Sequence, residues 1–411
     1  MFKSISALRR VSVHNTLSRR NLHNLRIGVK NEVAGFEKRV ALTPSNVSEL
    51  SQKGAQVMVQ KGAGNESGFT DGMYEKAGAT IVNDIYQEGD INTVVMVNAP
   101  SIAEAEKIGD KTVLGMMFTR NNTDLVNKIS DQNGSILDLT MLLRTLSRGQ
   151  AFDALSSQAG VAGYRAVVEC ANHFQRPFAA QMTAAAKIPP AKVLVCGAGV
   201  AGLAAIQAAK NMGAIVNAFD VRAAAAEQVE SMGATFLKVE SEETGDGGGG
   251  YAKEMSAEWF AAADKMLLKE METTDIIITT ALIPGKKAPI LIKKNMIDVM
   301  KPGSVTMDLA AKSGGNIETT VADKVVNVNG VTCIGHTNVE SMIASTASTL
   351  YGGNCTNLLL SMDRDGMSFL SSSSLSLLSL FLSISVNNAT TTNIITYTKN
   401  SHRKIRCGPR R

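Results

Sequence analysis

The chain has 411 residues, 44% hydrophobic and 19% charged, a balance that fits two or three globular domains and excludes a disordered polypeptide. Five cysteines without a C-x-x-C pair and five scattered histidines argue against a disulfide scaffold and against a metal site, so no metal is expected. The net charge of +5 misleads: twelve of the 42 basic residues lie in two acid-free ends, the other 30 face all 37 acids, and the body lacks the basic surface that nucleic-acid phosphates require.

Residues 1–26 hold six basic side chains and no acid, with Leu8, Val11, Val13, Leu17 and Leu22 interspersed. There is no apolar run of the secretory kind, and the composition predicts a mitochondrial transit peptide. The body then alternates. R-I-G-V-K at 26–30 reads as a strand, and T-P-S-N-V-S-E-L opens a helix with Thr43 as N-cap and Pro44 at its first position. Short apolar runs at 56–60, 93–97, 112–118 and 135–139 read as further strands with helical segments between them. Residues 158–186 read as a helical stretch broken near Pro177. After Pro189-Pro190 the pattern restarts with strand 193–196, helix 201–212, strand 214–219, helix 222–232 and strand 235–239. Strands at 275–280, 304–308 and 331–335 and a helix at 341–360 follow. Alternation of this kind predicts an α/β fold of two Rossmann-like or flavodoxin-like subdomains with parallel sheets, residues 27–157 and 158–336. The tail, 368–411, is acid-free and rich in Ser and Leu; we read it as sequence foreign to the fold, appended to a truncated gene product. A tail anchor is the alternative, weakened by the many hydroxyls.

V-L-V-C-G-A-G-V-A-G-L-A-A at 193–205 sets Gly197, Gly199 and Gly202 at G-x-G-x-x-G spacing between a strand and a helix, with Val200 starting that helix. The first glycine permits the turn, the second admits a pyrophosphate, and the third lets helix and strand pack. Asp220 ends the next strand, where a carboxylate binds the adenosine ribose hydroxyls and repels a 2′-phosphate; this favours NAD(H), although Arg222 two residues on softens the repulsion. An alcohol or amine dehydrogenase must also move a proton, and only His173 and His336 are histidines away from the ends. A hydride passed between two nicotinamides needs no such group.

Further long motifs stand around this turn: R-V-A-L-T-P from Arg39, D-A-L-S-S-Q-A-G-V-A-G-Y-R-A-V-V-E from Asp153, and G-Y-A-K-E-M-S from Gly250. T-T-A-L-I-P-G-K-K-A-P from Thr279 and D-L-A-A-K-S-G-G-N from Asp308 complete the set. With them, the chain from Arg26 to about Met362 resembles the NAD(H)-binding domain I of proton-translocating NAD(P) transhydrogenase, a relative of alanine dehydrogenase. The resemblance implies that Gln150, Asp153 and Ser156 position the nicotinamide together with an arginine, Arg144 in preference to Arg148. It also implies that the Gly-rich stretch from Glu243 to Lys253 is a mobile loop, with Gly250, Tyr251 and Ala252 against the cofactor, and that 337–362 returns to the first subdomain. Alanine dehydrogenases carry a catalytic Lys in a K-E-P-like turn and a catalytic His after the next strand; here the turn is N-A-P from Asn98 and G-M-M-F-T-R-N-N from Gly115 has no His. The implied protein is a fragment of a Si-Re transhydrogenase, dimeric and at the matrix side of the mitochondrial inner membrane. Its membrane domain, its NADP(H)-binding domain and the NADP(H) itself would belong elsewhere. The alternatives are a truncated, non-catalytic NAD-binding protein and an alanine dehydrogenase-like oxidoreductase.

Overall fold

The structure is a computed structural model that describes residues 22–32, 35–88, 90–142, 146–240, 243, 245, 255–282 and 287–364. Most of the basic N-terminal segment, Arg144, the loop residues Gly250, Tyr251 and Ala252, and the tail 368–411 lie outside the described residues. The first half builds one sheet from β1 (Arg26–Val29), β2 (Gln56–Gln60), β3 (Thr80–Val82), β4 (Thr93–Asn98), β5 (Thr112–Met116) and β6 (Ser135–Asp138). Helices α1 (Pro44–Gln52), α2 (Asp71–Lys76), α3 (Ile102–Ile108) and α4 (Thr123–Asp131) connect them, and α5 (Ala154–His173) leads away. The strand order is β3-β2-β1-β4-β5-β6, every pair parallel. Crossover helices cover such a sheet on both faces, which is why T-V-V-M-V in β4 is buried throughout.

The second half starts with a small hairpin, β7 (Gln181–Met182) and β8 (Lys187–Ile188), and continues with β9 (Lys192–Cys196), α6 (Val200–Asn211), β10 (Ile215–Phe219), α7 (Ala225–Ser231) and β11 (Thr235–Phe236). Then come α8 (Ala257–Met271), β12 (Ile276–Thr279), α9 (Lys294–Asp298), β13 (Val305–Asp308), β14 (Val325–Val328), β15 (Val331–Ile334) and α10 (Ala344–Arg364). Its sheet runs β11-β10-β9-β12-β13-β15-β14, parallel except for the β14–β15 pair. Both sheets are of the parallel, doubly covered α/β kind that the alternation predicts.

Three elements differ from the sequence reading. The helix expected over 158–186 begins at Ala154 and stops at His173, because Asp153 caps it and Pro177 disfavours helical backbone at Arg176; the hairpin β7–β8 occupies the remainder. The helix expected from Arg222 starts at Ala225, since Asp220 accepts the Arg222 N–H at 2.9 Å and makes a turn of 220–222. The short strand β3 and the antiparallel β14 are additional. β14 follows from Asn329-Gly330, whose φ angles of +53° and +87° suit a two-residue hairpin turn.

α5 and α10 link the two sheets. Ala154 of α5 is buried in the core of the first sheet, whereas Ala162, Ala166, Val167 and Cys170 are buried in that of the second. Tyr351, Cys355, Leu358 and Leu359 of α10 pack with Ile27, Val29, Val57 and Val59 of the first sheet, and the Tyr351 hydroxyl donates to the Met96 carbonyl at 2.8 Å. No helix among the described residues is long and apolar enough to cross a membrane.

Candidate functional site

β9 and β12 are neighbours in the second sheet, yet the chain leaves β9 toward β10 on one side and returns to β12 on the other. The crevice at their carboxyl ends is thus the switch point where open α/β sheets bind ligands. Gly197 stands there with φ of +103°, and its N–H donates to the Phe219 carbonyl at 2.7 Å. Any Cβ at Gly202 would lie 1.7 Å from the Gly197 carbonyl oxygen, so only glycine lets α6 start this close to β9. Gly199 is the reverse: a Cβ there meets nothing within 4 Å, so its backbone faces open space. It is also the N-cap of α6, and no side chain caps the helix, which leaves first-turn N–H groups and the positive end of the dipole for an anion. Val200 is exposed beside it.

The sequence reading missed the supports of this turn. Thr280 Oγ1 donates to the Gly197 carbonyl at 3.0 Å, and Asn316 grips Ala281 at both ends, accepting its N–H at 3.0 Å and donating to its carbonyl at 2.9 Å. Asn316 is held in turn by buried Asp308, which also accepts from Ala310, Ile317 and Thr320. The signals lay in T-T-A-L-I-P-G-K-K-A-P and D-L-A-A-K-S-G-G-N, motifs whose polar residues had no assigned work. Cys196, one residue before the turn, is fully buried; burial first and the Asp220 charge second push its thiol up to about 12, so it is no nucleophile at neutral pH.

Asp220 reaches the same turn. Its Oδ2 accepts the Ala198 N–H at 2.7 Å and Arg222 Nη2 at 2.8 Å, while Oδ1 accepts Arg222 Nε at 3.0 Å besides the Arg222 N–H. The two residues placed at the ribose by sequence are therefore engaged with each other.

α5 brings the other predicted group alongside. A Cβ at Gly163 would sit 2.0 Å from the Ala201 carbonyl oxygen, so α5 and α6 cross almost in backbone contact at the first turn of α6. One turn earlier, a Cβ at Gly160 would meet Val200 at an ordinary 3.8 Å. Ser156 and Asp153 are four and seven residues before Gly160, about 6 and 10 Å along the helix. Asp153 caps α5, accepting the Ser156 N–H at 2.9 Å and its hydroxyl at 2.5 Å, and it is buried. Gln150 is exposed, in the 3₁₀ turn Ser147–Phe152 before the cap. Arg148 lies in that turn too. His173 ends α5 about 15 Å beyond the crossing, and His336 follows β15, two strands or about 10 Å from β12. Neither histidine joins the glycine turn.

The first sheet has a switch point as well, between β1 and β4, and it holds buried charges. Glu37 accepts Arg39 Nε at 2.8 Å and Nη2 at 2.7 Å, Asn98 Nδ2 at 2.8 Å, Asn338 Nδ2 at 3.2 Å and the Ser341 hydroxyl at 2.7 Å. Arg39 Nη1 donates to Gln158 of α5 at 2.9 Å. Burial would raise the Glu37 carboxyl, but the hydrogen bonds and charge of Arg39 prevail and hold it at about 2. Nearby Glu32 accepts the Val97 N–H at 2.7 Å; burial pushes its carboxyl up to about 7, against the pull of Lys30, whose ammonium is 3.8 Å away and bonded to Glu104 at 2.9 Å. Among the described residues no group of three or more His, Cys, Asp or Glu side chains is placed to hold a metal ion.

Comparison with known proteins agrees with this architecture. Residues 28–162 match the alanine dehydrogenase/PNT N-terminal domain, and residues 166–385 match the alanine dehydrogenase/PNT C-terminal domain, a span that runs past Met362. The NAD(P) transhydrogenase subunit alpha of Haemophilus influenzae is 46% identical over 346 residues, 83% of this chain and 67% of its own length. A Rhodospirillum rubrum chain of NAD(P) transhydrogenase subunit alpha is 43% identical over 344 residues, 82% of this chain and 89% of its own. The crystal structure of transhydrogenase from Sinorhizobium meliloti has a TM-score of 0.73 at 37% identity, covering 82% of this chain and 94% of that one.

Proposed function

The chain belongs to the alanine dehydrogenase/PNT family, and we propose that it serves there as the NAD(H)-binding component of an NAD(P) transhydrogenase. The observation that carries this reading is the uncapped α6 N-terminus behind Gly197, Gly199 and Gly202, with Asp220 bonded to the same turn. These residues fit a dinucleotide: the cradle at Gly199 is open, and its free donors suit a pyrophosphate. Asp220 and Arg222 take the adenosine ribose, and Gly250, Tyr251 and Ala252 close over it from the Gly-rich loop. When bound, the nicotinamide supplies the hydride or accepts it. Gln150 and Asp153, with Ser156 steadying Asp153 and Arg144 completing the set, orient the ring so that one face meets the second nicotinamide.

Two features favour transhydrogenation over amino-acid oxidation. Asn98 stands where alanine dehydrogenases carry a catalytic Lys, and it donates to Glu37 as part of a buried network; residues 115–122 contain no histidine. Hydride exchange between nicotinamides needs neither. On this reading NADP(H) binds another domain, and the intact enzyme couples the transfer to proton translocation. The chain forms a homodimer and sits at the matrix face of the mitochondrial inner membrane, directed there by residues 1–26.

The purified chain should bind NADH at least about tenfold more tightly than NADPH, a gap of roughly 1.4 kcal/mol. Mixed with a separately produced NADP(H)-binding domain, it should exchange hydride between NADH and an NADP analogue. Alanine-dependent reduction of NAD by the chain alone would replace this reading with the dehydrogenase. A reporter carrying residues 1–26 should accumulate in mitochondria; a reporter that stays in the cytosol removes the matrix placement.

A further inference from the structure

An ionised carboxylate offers about four acceptor positions. At Asp220 four protein donors occupy them: the backbone N–H groups of Ala198 and Arg222, and the Nε and Nη2 of the Arg222 guanidinium. The two backbone donors belong to the glycine turn and to the 220–222 turn, and they cannot leave without remaking both. The two guanidinium donors can leave by rotation of one side chain. That side chain is 21% exposed while the Asp220 side chain is 6% exposed, so solvent reaches the carboxylate mainly past Arg222. A ribose diol read by this carboxylate needs two acceptor positions, and only those held by Arg222 can be surrendered.

We propose that Arg222 is a specificity-determining residue that competes with the ribose diol for Asp220 and supplies the positive charge met by a 2′-phosphate. The proposal rests on the dinucleotide reading above and deepens it. A diol displaces the guanidinium from Asp220, so part of the binding free energy goes into breaking a charge-assisted, two-pronged pair. A 2′-phosphate is repelled by Asp220, but the released guanidinium is a planar fork suited to phosphate oxygens, so the repulsion is partly offset. Arg222 thus weakens the binding of both nucleotides through the first effect and strengthens NADPH through the second. It narrows the gap that Asp220 alone would set.

The test is titration of the full chain and its variants with NADH and with NADPH, read by nucleotide fluorescence. Arg222→Leu should tighten NADH by about threefold to tenfold and weaken NADPH by about tenfold, on the scale of 1.4 kcal/mol per decade. Arg222→Lys keeps the charge but not the fork, so it should tighten NADH while largely retaining NADPH. In an Asp220→Asn background, Arg222→Leu should no longer tighten NADH. Equal weakening of both nucleotides by Arg222→Leu would make Arg222 a mere support of the turn and overturn the proposal, as would unchanged affinities. Arg222→Gln gives the same contrast if the Leu variant melts early. Failure of the unsubstituted chain to bind either nucleotide would overturn the dinucleotide reading itself, whereas tight NADH binding that ignores Arg222 overturns this proposal alone.

Discussion

Arg39→Leu is expected to lower the stability of the chain by about 3–5 kcal/mol at neutral pH, the scale for stripping one partner from a buried ion pair. Arg39 is 4% exposed, and its guanidinium gives two hydrogen bonds to Glu37 and one to Gln158. Leucine leaves the Glu37 carboxylate buried with only Asn98, Asn338, Ser341 and backbone N–H donors, none of them charged. The loss reaches further than one side chain, because the network ties the segment after β1 to α5 and to the approach to α10. The pH profile carries the sign. Glu37 is held at about 2, below its ordinary 4.5, so it contributes stability above pH 4.5 that is lost as pH falls toward 2. Glu32 acts oppositely: raised to about 7, it favours the fold below pH 4.5 and loses that contribution between pH 4.5 and 7. In a Glu32→Gln background, which removes the second effect, the parent should lose stability on acidification to pH 2. The Arg39→Leu variant should instead be worst near neutrality and recover as Glu37 takes a proton. Thermal melts across pH decide it, and a variant that melts within a degree of its parent at pH 7 would sink the argument.

Gly163→Val is expected to disrupt both the second sheet and nucleotide binding, whereas Gly160→Ala on the same helix should be tolerated. The Cβ added at Gly163 lies 2.0 Å from the Ala201 carbonyl oxygen, which is backbone and cannot rotate aside, so α5 and α6 must separate. Overpacking of this kind costs about 1–3 kcal/mol where the core can relax, and more where backbone opposes backbone. Moving the first turn of α6 also moves the N–H groups beside Gly199. NADH affinity should therefore fall by more than about tenfold even in protein that stays folded, a loss beyond roughly 1.4 kcal/mol. At Gly160 the added methyl meets Val200 at 3.8 Å, and replacing a helical glycine with alanine favours the helix by about 0.5–1 kcal/mol. Melting and NADH titration of the two variants side by side test the crossing; equal behaviour of the pair would refute it.

Much of this protein is determined by local sequence. Runs such as V-L-V-C and I-I-I-T read as strands because a parallel strand buried on both faces must be apolar along its whole length. Gly197, Gly199 and Gly202 announce the turn because its demands, a positive φ, an open backbone and a close helix start, are met within six residues. Asn329-Gly330 signals a hairpin for the same local reason, and with it the extra strand β14.

Other features depend on partners far along the chain, and only the tertiary structure decided them. Periodicity could not place the start of α5, because Asp153 both caps the helix and belongs to the loop that the helix presents to α6. Nor could it show that Glu37 gathers Asn98, Asn338 and Ser341, residues 61, 301 and 304 positions away. The spacing of Asp220 and Arg222 was plain, but their mutual saturation was not: it arises when the β10 turn folds against Ala198, 22 residues earlier. Local sterics are written in the residues that suffer them. Which polar groups find each other in the interior depends on how two sheets and two linking helices come together, and no short window of sequence contains that.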